Sequence, residues 1–131
     1  MAFELQGFKF TAIAGENLTA KQYHFMKLSA NLTVVGCSAV TDIPCGVLQN
    51  NPVATGSAEV MVYGITKLVA PSLTAGNLVG TSNTGTGVVI TPTAVGSIYY
   101  AGQCIIGTGA GSAEVASVLI NCATPIITSG S

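Results

Sequence analysis

Apolar and polar positions alternate with a period of two along most of the chain. In "GSAEVMVYG" (Gly56–Gly64), Ala58, Val60 and Val62 share one face, and Glu59, Met61 and Tyr63 the other. "GSAEVASVLI" (Gly111–Ile120) opens the same way, with Ala113 and Val115 opposite Glu114. This period with β-branched residues predicts half-buried strands, with each glutamate turned away from the core. Turn-rich stretches precede both, "QNNPVAT" and "GTGA", where Gly, Asn and Pro reverse the chain. "ENLTAKQYHFMKLSA" is the best helical candidate, but it also reads as a strand with Tyr23 and Phe25 on one side, and the strand is the reading adopted. The pattern predicts an all-β chain, a compact β-sandwich or barrel.

The start of the chain, "AFELQGFKFTAI", alternates with one interruption. Phe3 and Leu5 share a phase; after Gly7 the phase slips, and Phe8 and Phe10 take over. A glycine at a phase slip is the mark of a β-bulge or bend.

"LTA" occurs at Leu18–Ala20 and Leu73–Ala75, and "GSAEV" at Gly56–Val60 and Gly111–Val115, both pairs at one spacing. Laying Leu18–Thr66 on Leu73–Asn121 gives 13 identities in 49 pairs, where this composition gives about 4 by chance, so an internal duplication is inferred. The organisation read from this is an N-terminal extended arm (1–12), a single β domain (13–122) built from pseudo-repeats 15–69 and 70–122, and a C-terminal tail (123–131). The arm carries Phe3, Leu5, Phe8 and Phe10 outside the repeat. They are the candidate contact residues towards a neighbouring subunit or shell, unless the arm is the first strand of its own barrel.

Composition narrows the function. Charged residues make up 7% of 131 residues, against about 25% in a typical soluble domain. Four lysines, no arginine and a net charge of −1 cannot form the basic stripe that a nucleic-acid partner requires. No apolar run reaches the ~18 residues of a spanning helix, and no basic-then-apolar leader is visible. The expectation is a chain made in a cytoplasm, with no membrane or nucleic-acid partner, and a charge-poor surface covered in an assembly.

Little chemistry survives inspection. Cys37, Cys45, Cys104 and Cys122 form no C-x-x-C and share the chain with a single histidine, His24, so no metal site is expected. They read as reduced, buried thiols, with a disulfide open in an oxidising medium. Glu59 and Glu114 could meet across a pseudo-twofold as the paired carboxylates of a glycoside hydrolase, a remote alternative. Equivalent positions argue against it, because such a pair needs unlike environments. His24 has no partner acid nearby in sequence, no serine sits in a G-x-S-x-G elbow, and the glycine runs lack a P-loop's Lys-Ser/Thr ending. The sequence reads as a non-enzyme without a cofactor.

"AGNLVG" (Ala75–Gly80) and "AGQCIIGTGAGSAEVASVLI" (Ala101–Ile120) resemble the opening and closing hairpin of small tailed-phage capsid decoration (cement) proteins, DUF2190-like chains included. "CGVLQNNPVATGSAEVMVYGITKLV" (Cys45–Val69) repeats the theme more loosely, and the likeness departs at "KQYHFMKLSAN". The resemblance implies a structural virion protein that binds the outer head shell and stabilises it. The implied partners are the major capsid protein and copies of itself, as dimer or trimer, and the implied place is the capsid surface after synthesis in the host cytoplasm. A head-fibre, tail or other virion component presenting loops to a host surface is the alternative.

Overall fold

The computed structural model describes residues 5–90, 99–109, 114–123 and 126–127. They contain ten strands: β1 (Leu5–Ala14), β2 (Phe25–Ala30), β3 (Thr33–Gly36), β4 (Gly46–Leu48), β5 (Ser57–Val69), β6 (Leu78–Thr81), β7 (Gly87–Val89), β8 (Tyr99–Ile106), β9 (Val115–Asn121) and β10 (Ile126–Ile127). The chain is all-β, as its alternation predicts. No helix among the described residues is long and apolar enough to cross a membrane.

All ten strands belong to one sheet, in the order β1-β3-β2-β4-β5-β9-β8-β6-β7, with β10 beside β8. Its first half closes on itself. Met61 of β5 lies opposite both Lys9 of β1 and Val47 of β4, and Val60 lies opposite both Phe10 and Leu48. A strand residue has two partners only when a strand lies on each edge, so β1 and β4 flank β5 on opposite sides. The ring is completed by β4–β2 and β2–β3, both antiparallel, and by a short parallel bridge, Ile13 opposite Thr33 and Ala14 opposite Val34. The result is a small five-stranded barrel, which leaves β1 and β5 no free edge there.

The alternation read from sequence fills this barrel. Ala12, Ala14, Met26, Val34, Leu48, Ala58 and Val60 are buried together, joined by Leu18 from a loop, with Phe10 and Cys45 packed against them. Small alanines on β1 and β5 fit so narrow an interior. A second core lies on the other side of the same strands. Phe25, Val47 and Met61 there meet Leu68, further along β5, and Val79, Cys104, Ala116, Val118 and Ile120 from the second half of the chain. Met61 was expected on the solvent face beside Glu59; β5 is instead buried on both faces at its middle.

The segment read as an N-terminal arm is, over its described residues, a strand of this barrel. β1 runs without a break across the boundary drawn at residue 12. The slip at Gly7 is present: the β1–β5 register shifts between Leu5 and Phe8, and again between Phe8 and Lys9. A Cβ at Gly7 would stand 1.7 Å from the Tyr63 carbonyl oxygen, so only glycine allows this approach.

Two other expectations are corrected. Tyr23 does not share a strand with Phe25; its φ of 65° places it in the left-handed region, in a turn closed by bonds from Lys21 N–H to Leu18 C=O and from His24 N–H to Lys21 C=O. In β9 Ala116, Ser117, Val118 and Ile120 are buried, whereas Val115 is half-buried. Pairing with β5 sets this phase, because Ala116 lies opposite the buried Leu68.

Strand order repeats between the halves, β3-β2-β4-β5 and then β7-β6-β8-β9, antiparallel throughout. Register does not repeat at the spacing of the sequence match: Val47 faces Met61, whereas Gly102 faces Ile120. Glu59 lies within β5, but Glu114 precedes β9.

The loop between β3 and β4 is held by Asp42. Its Oδ2 accepts from the Ser38 amide (2.8 Å), the Ala39 amide (3.0 Å) and Lys27 Nζ (3.0 Å). Burial opposes its ionisation, but the Ser38 amide and Lys27, with the Ala39 amide, outweigh burial and hold the carboxyl below its ordinary value of 3.8. A lowered carboxyl pKa stabilises the fold above the unfolded-state value, and the contribution is lost as pH falls through the folded-state pKa. Asp42→Asn is expected to cost about 1–2 kcal/mol in denaturant unfolding at pH 7 and progressively less below roughly pH 4. An equal cost at every pH would contradict this role.

Candidate interaction surface

Glu59 and Glu114 have different partners and different surroundings. Glu59 Oε2 accepts from the Thr11 hydroxyl at 2.6 Å, across the β1–β5 pairing. Glu114 accepts from the Gly109 amide and lines a depression of about 540 Å³ with Thr74, Thr108 and neighbours. No second carboxylate lines that depression among the described residues. A glycosidase needs two carboxyl groups facing one sugar.

His24 is half-buried, with Nδ1 3.2 Å from the Gln22 carbonyl oxygen. Desolvation lowers its pKa, so the ring is held neutral near pH 7. Among the described residues no three His, Cys, Asp or Glu side chains are grouped to hold a metal. Burial pushes the Cys37 thiol up to about 12 and the Cys45 thiol to about 11; Cys104 and Cys122 are also raised by burial. Such thiols are poor nucleophiles near neutral pH.

The surface carries a more distinctive feature. Phe8 lies directly opposite Tyr63, and Tyr63 directly opposite Asn121. Two residues along β9, on the same face, Leu119 lies opposite Gln103, which lies opposite Leu78. Sheet pairing thus assembles a band from five strands, β1, β5, β9, β8 and β6. Phe8 is 74% exposed, Tyr63 48% and Leu119 43%. Beside them a groove of about 290 Å³ is lined by Tyr63, Leu78, Tyr100, Gln103, Leu119 and Asn121 among others. Among the described residues no charged side chain lines it. A clustered apolar face of this kind on a charge-poor chain is the candidate contact surface.

The four residues expected to make contacts are divided by the structure. Phe8 belongs to the band. Phe10 is half-buried against the barrel interior. Leu5 holds a strand position opposite Ile65, and Phe3 lies outside the described residues. Phe8 and Phe10 were read as sharing a face; the second register shift, between Phe8 and Lys9, separates them. Tyr63, Leu78 and Leu119 were not singled out by sequence, because long-range pairing alone brings them to Phe8.

No protein-family model and no curated protein sequence matches the chain. Among solved structures, the chain is similar to the head fiber gp8.5 N base of bacteriophage phi29, with a TM-score of 0.63, 18% sequence identity, and coverage of 88% of this chain and 94% of that one. At this identity the likeness is one of fold: this chain has the same β architecture over most of its length as the base of a phage head fibre.

Proposed function

We propose that the chain is a structural protein of a bacteriophage particle, placed on the outer face of the head, and that it acts by binding and not by catalysis. The observation that carries this reading is the band of uncharged residues Phe8, Tyr63 and Leu119, set on a fold like that of a head-fibre base. An apolar face centred on aromatics gives salt-tolerant association, since it does not depend on ion pairs. The partners are the major capsid protein and further copies of the chain, a dimer or trimer.

Two finer roles follow from the same placement. As a decoration protein it bridges neighbouring shell subunits and reinforces them, in line with the resemblance of its hairpins to cement proteins. As the base of a head fibre it anchors a projecting structure, a role favoured by the fold of the phi29 protein.

Co-sedimentation with empty heads of the phage that encodes the chain tests the proposal. The intact chain is expected to bind in both 50 mM and 500 mM salt, the two concentrations to be compared. Phe8→Asp with Leu119→Asp is expected to lower affinity at least about 100-fold while leaving the chain folded, at a cost of about 1–2 kcal/mol, since both side chains are partly exposed and neither belongs to a core. Undiminished binding by the double variant would remove the band from the proposal. Heads that gain heat resistance on binding indicate decoration; binding without that gain indicates a fibre base.

A further inference from the structure

Cys45 and Cys122 are far apart in sequence and belong to different halves of the fold, yet they line one pocket. Cys45 directly precedes β4, its amide donating to the Met26 carbonyl at 2.8 Å. Cys122 directly follows β9, its amide donating to the Val62 carbonyl at 2.8 Å. The pocket, about 420 Å³, is completed by Leu28, Ile43 and Pro44. Leu28 and Ile43 are 56% and 52% exposed, so the pocket is open to solvent beside them. Cys45 is half-buried and Cys122 is 6% exposed. Cys122 shares the second core with Cys37 and Cys104, but of these three only Cys122 lines the pocket.

We propose that Cys45 and Cys122 are an oxidisable pair, converted by an uncharged low-molecular-weight disulfide into one cross-link that ties the barrel to the second half of the sheet. Among the described residues the pocket has no charged lining, which favours a neutral oxidant over an anionic one such as oxidised glutathione. The more accessible Cys45 reacts first. It loses its proton, its sulfur attacks one sulfur of the oxidant, and one small thiolate leaves. Cys122 then loses its proton and attacks the Cys45 sulfur of the mixed disulfide, and the second small thiolate leaves. The two protein sulfurs give up two electrons, the external disulfide becomes two thiols, and the two protons pass to those leaving groups. Burial raises both protein thiols, so the exchange is slow near neutral pH and faster in mild alkali.

The cross-link closes a loop running from residue 45 to residue 122, long enough for a large entropic effect on the unfolded chain. The test is incubation of the intact chain with 2-hydroxyethyl disulfide, followed by thiol counting, peptide mapping and thermal unfolding. The expected result is loss of two of the four thiols, a peptide linking Cys45 to Cys122, and a rise in Tm of about 10 °C, reversed by dithiothreitol. Cys122→Ser is expected to stop at a mixed disulfide on Cys45, and Cys45→Ser to keep its thiols. Four surviving thiols, a link that includes Cys37 or Cys104, or an unchanged Tm after cross-linking would each overturn the proposal. Because the thiol count is read on the free chain, its outcome is independent of whether the chain binds phage heads.

Discussion

Deleting residues 2–11 is expected to unfold the protein. The deletion removes Leu5, Phe8, Lys9, Phe10 and Thr11 from the β1–β5 pairing and takes Phe10 off the barrel interior. What is left of β1 could not span β5, so the edge of β5 along Tyr63, Met61 and Val60 would lose its partner, and the barrel interior would open to water. Each ladder hydrogen bond contributes about 1 kcal/mol net, and loss of the Phe10 packing adds about 2 kcal/mol. Together these approach the ~5–15 kcal/mol by which domains are stable. Circular dichroism and thermal unfolding of the truncated chain check this. A cooperative transition within a few degrees of the intact chain would mean that β1 is a detachable arm after all, and would restore the connector role considered for it.

The second large effect is expected at Phe25. It is fully buried, belongs to the second core, and sits on β2 opposite Val47. Its main chain is fixed on both sides: its amide donates to the Gly85 carbonyl at 2.7 Å, and its carbonyl accepts from the Cys37 amide at 3.0 Å. The backbone cannot easily collapse into the space that a lost ring leaves, so Phe25→Ala is expected to cost about 3–5 kcal/mol. Phe8→Ala, which removes an equal ring from the surface, is expected to cost under about 0.5 kcal/mol. The contrast is read in denaturant midpoints at constant m-value. Comparable costs at the two sites would contradict the assignment of Phe25 to the core and Phe8 to the surface.

Local pattern carried much of the fold into view. The Ala58–Val60 alternation does line a core, "QNNPVAT" does separate two strands, and Gly7 does mark a register shift. These features depend on neighbours in sequence. What was hidden depends on partners far away. The parallel bridge between Ile13–Ala14 and Thr33–Val34 closes the barrel, and no local period announces it. The phase of β9 is imposed by Leu68. Met61 looks like a solvent-face residue until a second layer covers it. Two register shifts in β1, where one was visible, move Phe8 to the surface and leave Phe10 inside. The duplication remains a proposal: strand order agrees with it, and the altered registers show why the sequence match alone did not place Glu114 within a strand as Glu59 is.

The band follows the same logic. Phe8 was singled out for its aromatic load at the chain's start. Tyr63 and Leu119 gain meaning only because β1–β5 and β5–β9 pairing lays them beside it. A chain with nine charged residues in 131 has few ways to keep such a face in water, which is why the proposed function places it against a partner.

The most direct test of the central claim is a density map of the intact phage head at a resolution that traces strands. The expected result is the five-stranded barrel on the outer face of the shell, with Phe8, Tyr63 and Leu119 covered by capsid protein or by another copy of the chain. A particle whose shell lacks the chain, or one that carries it with the band facing open solvent, would contradict the claim.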